Sequence, residues 1–172
     1  MKYLKILPLI FLFFLTSILL IKIINYDKSK GIESALLNKN FPKLNISLLD
    51  TKEQKHIDFN IGENFILINF FASWCVPCKV EHETLNFINR DGIPIFGIAY
   101  KDKTEDTKFF LKALGNPYKQ VGIDRNGRIA IELGVYGVPE TFLVDLEGII
   151  RYRHAGPLTI EDYKKKIIPL IN

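Results

Sequence analysis

The chain is poor in the residues that announce most kinds of chemistry. Its 172 residues include two cysteines, three histidines, one tryptophan and one methionine. Two cysteines exclude a multi-disulfide scaffold and a four-cysteine zinc site. His82 lies four residues past Cys78, but no second CxxC and no HxxxH supplies the remaining ligands of a metal centre. There is no internal repeat and no low-complexity tract. The body of the chain also lacks net charge. Residues 1–30 hold five Lys against one Asp, and the rest hold eighteen Lys and Arg against eighteen Asp and Glu. A neutral body without a basic stripe is a poor nucleic-acid binder. A composition that is 48% hydrophobic excludes a disordered tail, and the length suits one domain of ordinary size.

What is present in excess is one apolar run. Ile6 to Ile21 carries no charge, and Ile23-Ile24 extends it past Lys22, making 19 residues with a single charge near the end. A bilayer core needs about 20 apolar residues in a helix. Lys22 can snorkel to the headgroups on its apolar stem. A cleaved signal would have a shorter apolar region, roughly 7–15 residues, with a small-x-small site just after it. Ser29-x-Gly31 lies too far from the run to serve. Residues 1–24 therefore read as an uncleaved transmembrane signal-anchor, 25–40 as a polar linker and 41–172 as the domain. Lysine counts on the two sides do not fix the topology. A short amino-terminal stub ahead of a long folded domain favours the domain outside.

Within the domain, alternation predicts a strand near Leu44–Leu49 and a second near His56–Phe59. Phe65–Ala72 is almost continuously apolar, as a strand buried on both faces would be. A helix is expected from Val76 to Asn89 and a buried strand at Ile93–Tyr100. Thr104 is placed to cap a helix ending near Gly115, ahead of Pro117. Asn126-Gly127 marks a tight turn, and a short helix is expected near Ile129–Leu133. Thr141–Asp145 and Ile149–His154 read as a hairpin, and Thr159 starts a last amphipathic helix. The order is β-β-β-α-β-α-α-β-β-α, a mixed α/β sandwich.

Trp74-Cys75-Val76-Pro77-Cys78 sits where the buried strand meets its helix. The first turn of a helix leaves N–H groups unpaired and carries the positive end of the dipole. A thiolate placed there is stabilised below the free thiol value of about 8.5. Pro77 is tolerated because its missing N–H has no intrahelical partner there. Cys78, three residues on, shares the helix face of Cys75, so the two sulfurs can meet. Cys75 is expected to be exposed and to attack first, with Cys78 deeper and resolving the mixed disulfide. A c-type haem site would need His directly after Cys78, where Lys79 stands. A purely structural disulfide is the competing reading, but so short a loop stabilises least.

These features, from Phe41 to the end, resemble the thioredoxin-fold family. Within it they are similar to the CcmG/DsbE group, membrane-tethered thiol–disulfide proteins of cytochrome c maturation. The likeness is carried by Trp74 to His82, by Leu114-Gly115-Asn116-Pro117-Tyr118, by Gly134-Val135-Tyr136-Gly137-Val138-Pro139-Glu140-Thr141-Phe142 and by Ile150 to Gly156. It implies a central mixed β-sheet flanked by helices. It also implies a protein-disulfide reductase at the bacterial inner membrane, facing the periplasm, with the Cys75–Cys78 disulfide in place of any diffusible cofactor or metal. The implied substrate is apocytochrome c or the maturation protein presenting it, and the implied electron donor is a DsbD or CcdA-type membrane protein. A general extracytoplasmic reductase of the TlpA or ResA type is the alternative; it shares the cysteines but not the last two stretches.

The resemblance also implies a cis proline at Val138-Pro139, where the backbone of the residue before proline is free to pair with an extended substrate. Thioredoxins carry a buried Asp where Asn69 stands, and Asn cannot accept a proton from the deeper cysteine. Glu81, three residues past Cys78 on the same helix side, is the replacement; partly buried, it would have a raised pKa and could relay a proton. Trp74 is expected to cover the disulfide. Tyr136, Glu140 and Arg153 are rim positions.

Overall fold

A computed structural model describes residues 7–24, 36–49, 54–56 and 65–171. The chain divides into two compact units, Met1–Glu33 and Ser34–Asn172. The first contains helix α1, Leu7–Ile24, whose one charged residue is Lys22 and whose large apolar side chains, Leu9, Phe11, Phe13 and Phe14 among them, are exposed. Among the described residues no helix is long and apolar enough to cross a membrane. At about 1.5 Å per residue, the 18 residues of α1 reach just short of a hydrocarbon core of about 30 Å.

Among the described residues the second unit is built on seven strands: β1 Asn45–Leu48, β2 Gln54–His56, β3 Phe65–Phe71, β4 Ile95–Tyr100, β5 Gln120–Asp124, β6 Glu140–Asp145 and β7 Ile150–Ala155. They pair in the order β2-β1-β5-β4-β3-β6-β7. The central trio β3, β4 and β5 is parallel, while β1, β6 and β7 run antiparallel to their neighbours. Between them lie α2 Val76–Arg90, α3 Thr104–Leu114 and α4 Arg128–Glu132. Helix α5 closes the chain in three consecutive pieces: Ile160–Asp162, a π-helical turn Tyr163–Ile167 and Ile168–Ile171. Pro169 lacks the N–H that would continue the regular ladder across this stretch. A reciprocal capping box between Thr159 and Asp162 starts the helix.

Successive side chains of β3 point to opposite faces. Leu67 and Phe71 face one core with Cys75, Cys78, Leu85, Phe110 and Tyr163. Ile66, Ile68 and Phe70 face the other, with Phe96, Ile98, Ile129 and Phe142. This two-sided burial is why the strand reads as a continuous apolar run. Asn69 falls on the Leu67 and Phe71 side, beneath α2.

Three local expectations change. The second strand is Gln54–His56, and positions 57–59 lie outside the described residues. β5 was not anticipated: Gly122 interrupts its apolar pattern and only Val121 and Ile123 carry it. Thr104 does not cap α3. The N-cap is Lys103, with no side-chain cap; the buried Asp102 carboxylate before it steadies the helix start, accepting from Lys103 N at 2.9 Å and Thr107 Oγ1 at 3.1 Å. Thr104 Oγ1 instead accepts from Arg125. At the other end of the folded unit, Leu36 and Leu37 pack against the second core, and Asn40 bridges to Ile149.

Candidate active site

β3 ends at Phe71, and Ala72-Ser73-Trp74 turns the chain into α2. Asp102 anchors the turn, accepting from Ser73 N at 2.7 Å and Ser73 Oγ at 2.8 Å. Cys75 is the N-cap of α2 in an extended conformation, and its Sγ accepts the Cys78 N–H at 3.1 Å. The orphan donor of the first helical turn is thus spent on the sulfur itself. Cys75 and Cys78 form a disulfide with their Cα atoms 5.3 Å apart.

The exposure of Cys75 differs from the expectation. It is only 3% exposed, hardly more than Cys78 at 1%, because its sulfur turns back onto the Cys78 N–H, packs into the apolar core and is flanked by the Val138 carbonyl. The surface above it belongs to Trp74, Val76 and Pro77, all exposed. Trp74 Nε1 donates to the Lys101 carbonyl at 3.3 Å, holding the ring at this rim. The Val138-Pro139 peptide is cis. Its Val138 carbonyl lies 3.5 Å from Cys75 Sγ, which brings Val138 and the buried Pro139 to the disulfide.

A buried polar cluster begins three residues past Cys78 on α2. Glu81 is 1% exposed. Its Oε1 accepts from Asn69 Nδ2 at 2.9 Å and its Oε2 from the Leu158 N–H at 2.9 Å. Burial pushes its pKa up to about 7, while the two donors hold it down. Asn69 Nδ2 also donates to Thr141 Oγ1 at 3.0 Å, and Asn69 Oδ1 accepts from the Tyr118 hydroxyl at 2.9 Å. Tyr118, Thr141 and the Leu158 amide were not singled out in the sequence. The first two lay inside the motif stretches, but a backbone N–H leaves no sequence signal.

His82, next to Glu81, is buried between Phe110 and Tyr118. Its Nε2–H donates to the Gly115 carbonyl at 2.8 Å, so Nδ1 carries the lone pair; it is buried, and no described residue bonds to it. Burial pushes its pKa down, so it is a neutral packing residue. Two rim expectations are also revised. Glu140 is 1% exposed and forms a buried ion pair with Arg153, whose guanidinium lies over the rings of Tyr136 and Phe142. Glu140 also accepts from the Tyr136 backbone, and Arg153 Nη2 donates to the Gly134 carbonyl at 2.6 Å. The pair faces inward because it braces the turn from Gly134 to Pro139. Of the three, Tyr136 alone is exposed.

A helix-capped cysteine pair on a mixed sheet, beside a cis-proline turn, defines a thioredoxin-like thiol–disulfide oxidoreductase, and residues 37–167 match the Redoxin family model. The chain is 39% identical to the thiol:disulfide interchange protein DsbE of Pasteurella multocida over 168 residues, covering 98% of this chain and 93% of that one. It is 42% identical to the Escherichia coli K12 protein of the same name, over 84% of this chain and 78% of the relative. A crystal structure from Chlorobium tepidum bearing the name DsbE superposes with a TM-score of 0.68, at 20% identity, over 83% of this chain and all of that one. The chain belongs to the DsbE family of thiol:disulfide interchange proteins.

Proposed function

We propose that this protein is a membrane-tethered, periplasm-facing dithiol reductant that acts in cytochrome c maturation. The observation that carries the redox reading is the placement of Cys75 Sγ on the Cys78 N–H, with the Glu81 carboxylate buried one turn further along α2. In the reduced protein the Cys75 thiolate attacks a partner disulfide. One partner sulfur leaves as thiolate and takes a proton, and a Cys75–partner disulfide forms. Cys78 gives its proton to Glu81 and attacks Cys75 Sγ, expelling the second partner thiolate. Two electrons have then passed to the partner, and Cys75–Cys78 is the disulfide described above.

The partner is apocytochrome c, or the maturation protein presenting it, and a DsbD or CcdA-type membrane protein returns the electrons. What supports this assignment is the run Gly134–Phe142 together with Ile150–Gly156, which resembles the cytochrome c maturation group. The run from Ile6 to Ile24 and the exposed apolar faces of α1 support single-pass anchoring in the inner membrane. Trp74, Val76 and the Val138 carbonyl are the surface offered to the partner.

Expression of the full chain as Cys78→Ala, which leaves the mixed disulfide unresolved, tests the assignment. Capture through Cys75 of a protein bearing a CxxCH haem-attachment motif, or of its presenting protein, is expected. Capture of a broad set of unrelated periplasmic proteins would indicate a general disulfide reductase instead.

A further inference from the structure

We infer that Tyr118 is a positioning residue for the thiol–disulfide reaction: its hydroxyl holds the Asn69 amide with its NH2 group toward Glu81, the orientation that favours the Glu81 carboxylate. The inference rests on the reading of Glu81 as proton acceptor and deepens it.

An amide side chain can present either its oxygen or its nitrogen to a neighbour. Asn69 has two amide hydrogens and both are engaged, by Glu81 Oε1 at 2.9 Å and Thr141 Oγ1 at 3.0 Å. Its oxygen faces the Tyr118 hydroxyl at 2.9 Å. The flipped amide would turn Oδ1 toward the Glu81 carboxylate, which is tolerable only when Glu81 is protonated and donates. It would also leave the Tyr118 O–H without its acceptor, and an unmade buried hydrogen bond is costly. Tyr118 therefore opposes the flip, and with it the protonated form of Glu81. Burial pushes the phenol well above its ordinary range, so it remains a donor at every working pH.

The fold is built to bring this hydroxyl to that amide. Tyr118 stacks on Phe71 with ring centroids 4.7 Å apart. Gly97 on β4 is the register partner of Asn69 on β3, and a Cβ at Gly97 would come within 2.9 Å of Tyr118 Cγ. The missing side chain at Gly97 is the space the tyrosine ring occupies. The other groups around the carboxylate are the Leu158 N–H from the segment before α5, Thr141 of β6 acting through Asn69, and Cys78 and His82 on α2 itself. Of these, His82 is committed to the Gly115 carbonyl.

Tyr118→Phe keeps the ring and removes only the hydroxyl. The carboxyl carbon of Glu81, followed by NMR across pH in the disulfide form, reads the effect without relying on activity. The midpoint is expected to rise by about one pH unit, a tenfold loss of carboxylate below it. Stopped-flow reduction of a disulfide substrate is expected to slow at neutral pH and recover at high pH. Asn69→Ala, which removes the intermediary, is expected to raise the midpoint too, and adding Tyr118→Phe to it should move nothing further. An unchanged midpoint in Tyr118→Phe, an equal loss of rate at every pH, or an additional shift in the double variant would overturn the inference. A profile unaltered by Glu81→Gln, alongside a midpoint moved by Tyr118→Phe, would instead remove Glu81 from the chemistry and leave the positioning intact.

Discussion

The Glu81 carboxylate on α2 and the Asn69 amide on β3 meet at 2.9 Å in a place closed to solvent, both residues being at most 1% exposed. Thioredoxins carry a buried Asp where Asn69 stands, and the resemblance implies that Glu81 on the helix replaces it. The structure buries Glu81 there and uses the strand position, Asn69, to hold it.

This burial has a cost that depends on pH. The folded pKa of Glu81 is raised from 4.5 to about 7, so between those values the folded chain binds a proton that the unfolded chain has released. Its contribution therefore falls as pH rises through that window, by on the order of 3 kcal/mol in total. Glu81→Gln should remove this slope. Denaturant unfolding of the oxidised protein and the variant at pH 5 and pH 8 checks it; parallel pH dependences would mean that Glu81 is not the buried acid described.

His82 works in the opposite direction. Its pKa is lowered by burial, so on acidification the unfolded chain takes up a proton before the folded one does. Stability is present above the unfolded value and is lost as pH falls through it toward the folded pKa. His82→Phe should reduce the loss of stability between pH 7 and pH 5. It should also cost about 0.5–1.5 kcal/mol at neutral pH, because the hydrogen bond to the Gly115 carbonyl is lost at a place where water can replace it. Thermal unfolding at the two pH values measures both effects.

Removing one partner of the Glu140–Arg153 pair should be more damaging than removing both. Arg153→Met leaves a carboxylate that is 1% exposed without its counter-charge, a change that costs about 3–5 kcal/mol. Burial already pushes the Glu140 pKa up and Arg153 holds it down, so the loss should be larger at pH 8 than at pH 5. Adding Glu140→Leu should recover much of it. A fully additive double variant would show that the pair does not act as a unit.

Much of this was legible from local pattern. The two-sided strand β3, the helix opening at the cysteines, the Thr159 cap and the hairpin of β6 and β7 each depend on residues close in sequence. Contacts between distant residues were not legible. Tyr118 and Asn69 are 49 positions apart, and nothing in either segment alone predicts that Gly97 clears a path between them. Glu81 could be placed on the helix side of Cys78 by spacing, but its acceptance of the Leu158 N–H depends on where the chain passes after β7. Glu140 and Arg153 read as rim residues because charge in a sequence looks solvated until its partner is seen. β5 was missed because Gly122 breaks its pattern.

The direction of electron flow is the central claim, and the reduction potential of the Cys75–Cys78 couple tests it most directly. The Val76-Pro77 dipeptide resembles that of reducing thioredoxins. The carboxylate of Glu81, met by the neutral donors Asn69 and Leu158, disfavours a second negative charge on the nearby sulfurs and so destabilises the thiolate form. Equilibration of the full chain against a glutathione buffer, with the dithiol fraction read by alkylation, should give a potential more negative than about −180 mV, the value of the isomerases. A value near −120 mV, where the strong oxidant DsbA lies, would contradict the assignment as a reductant.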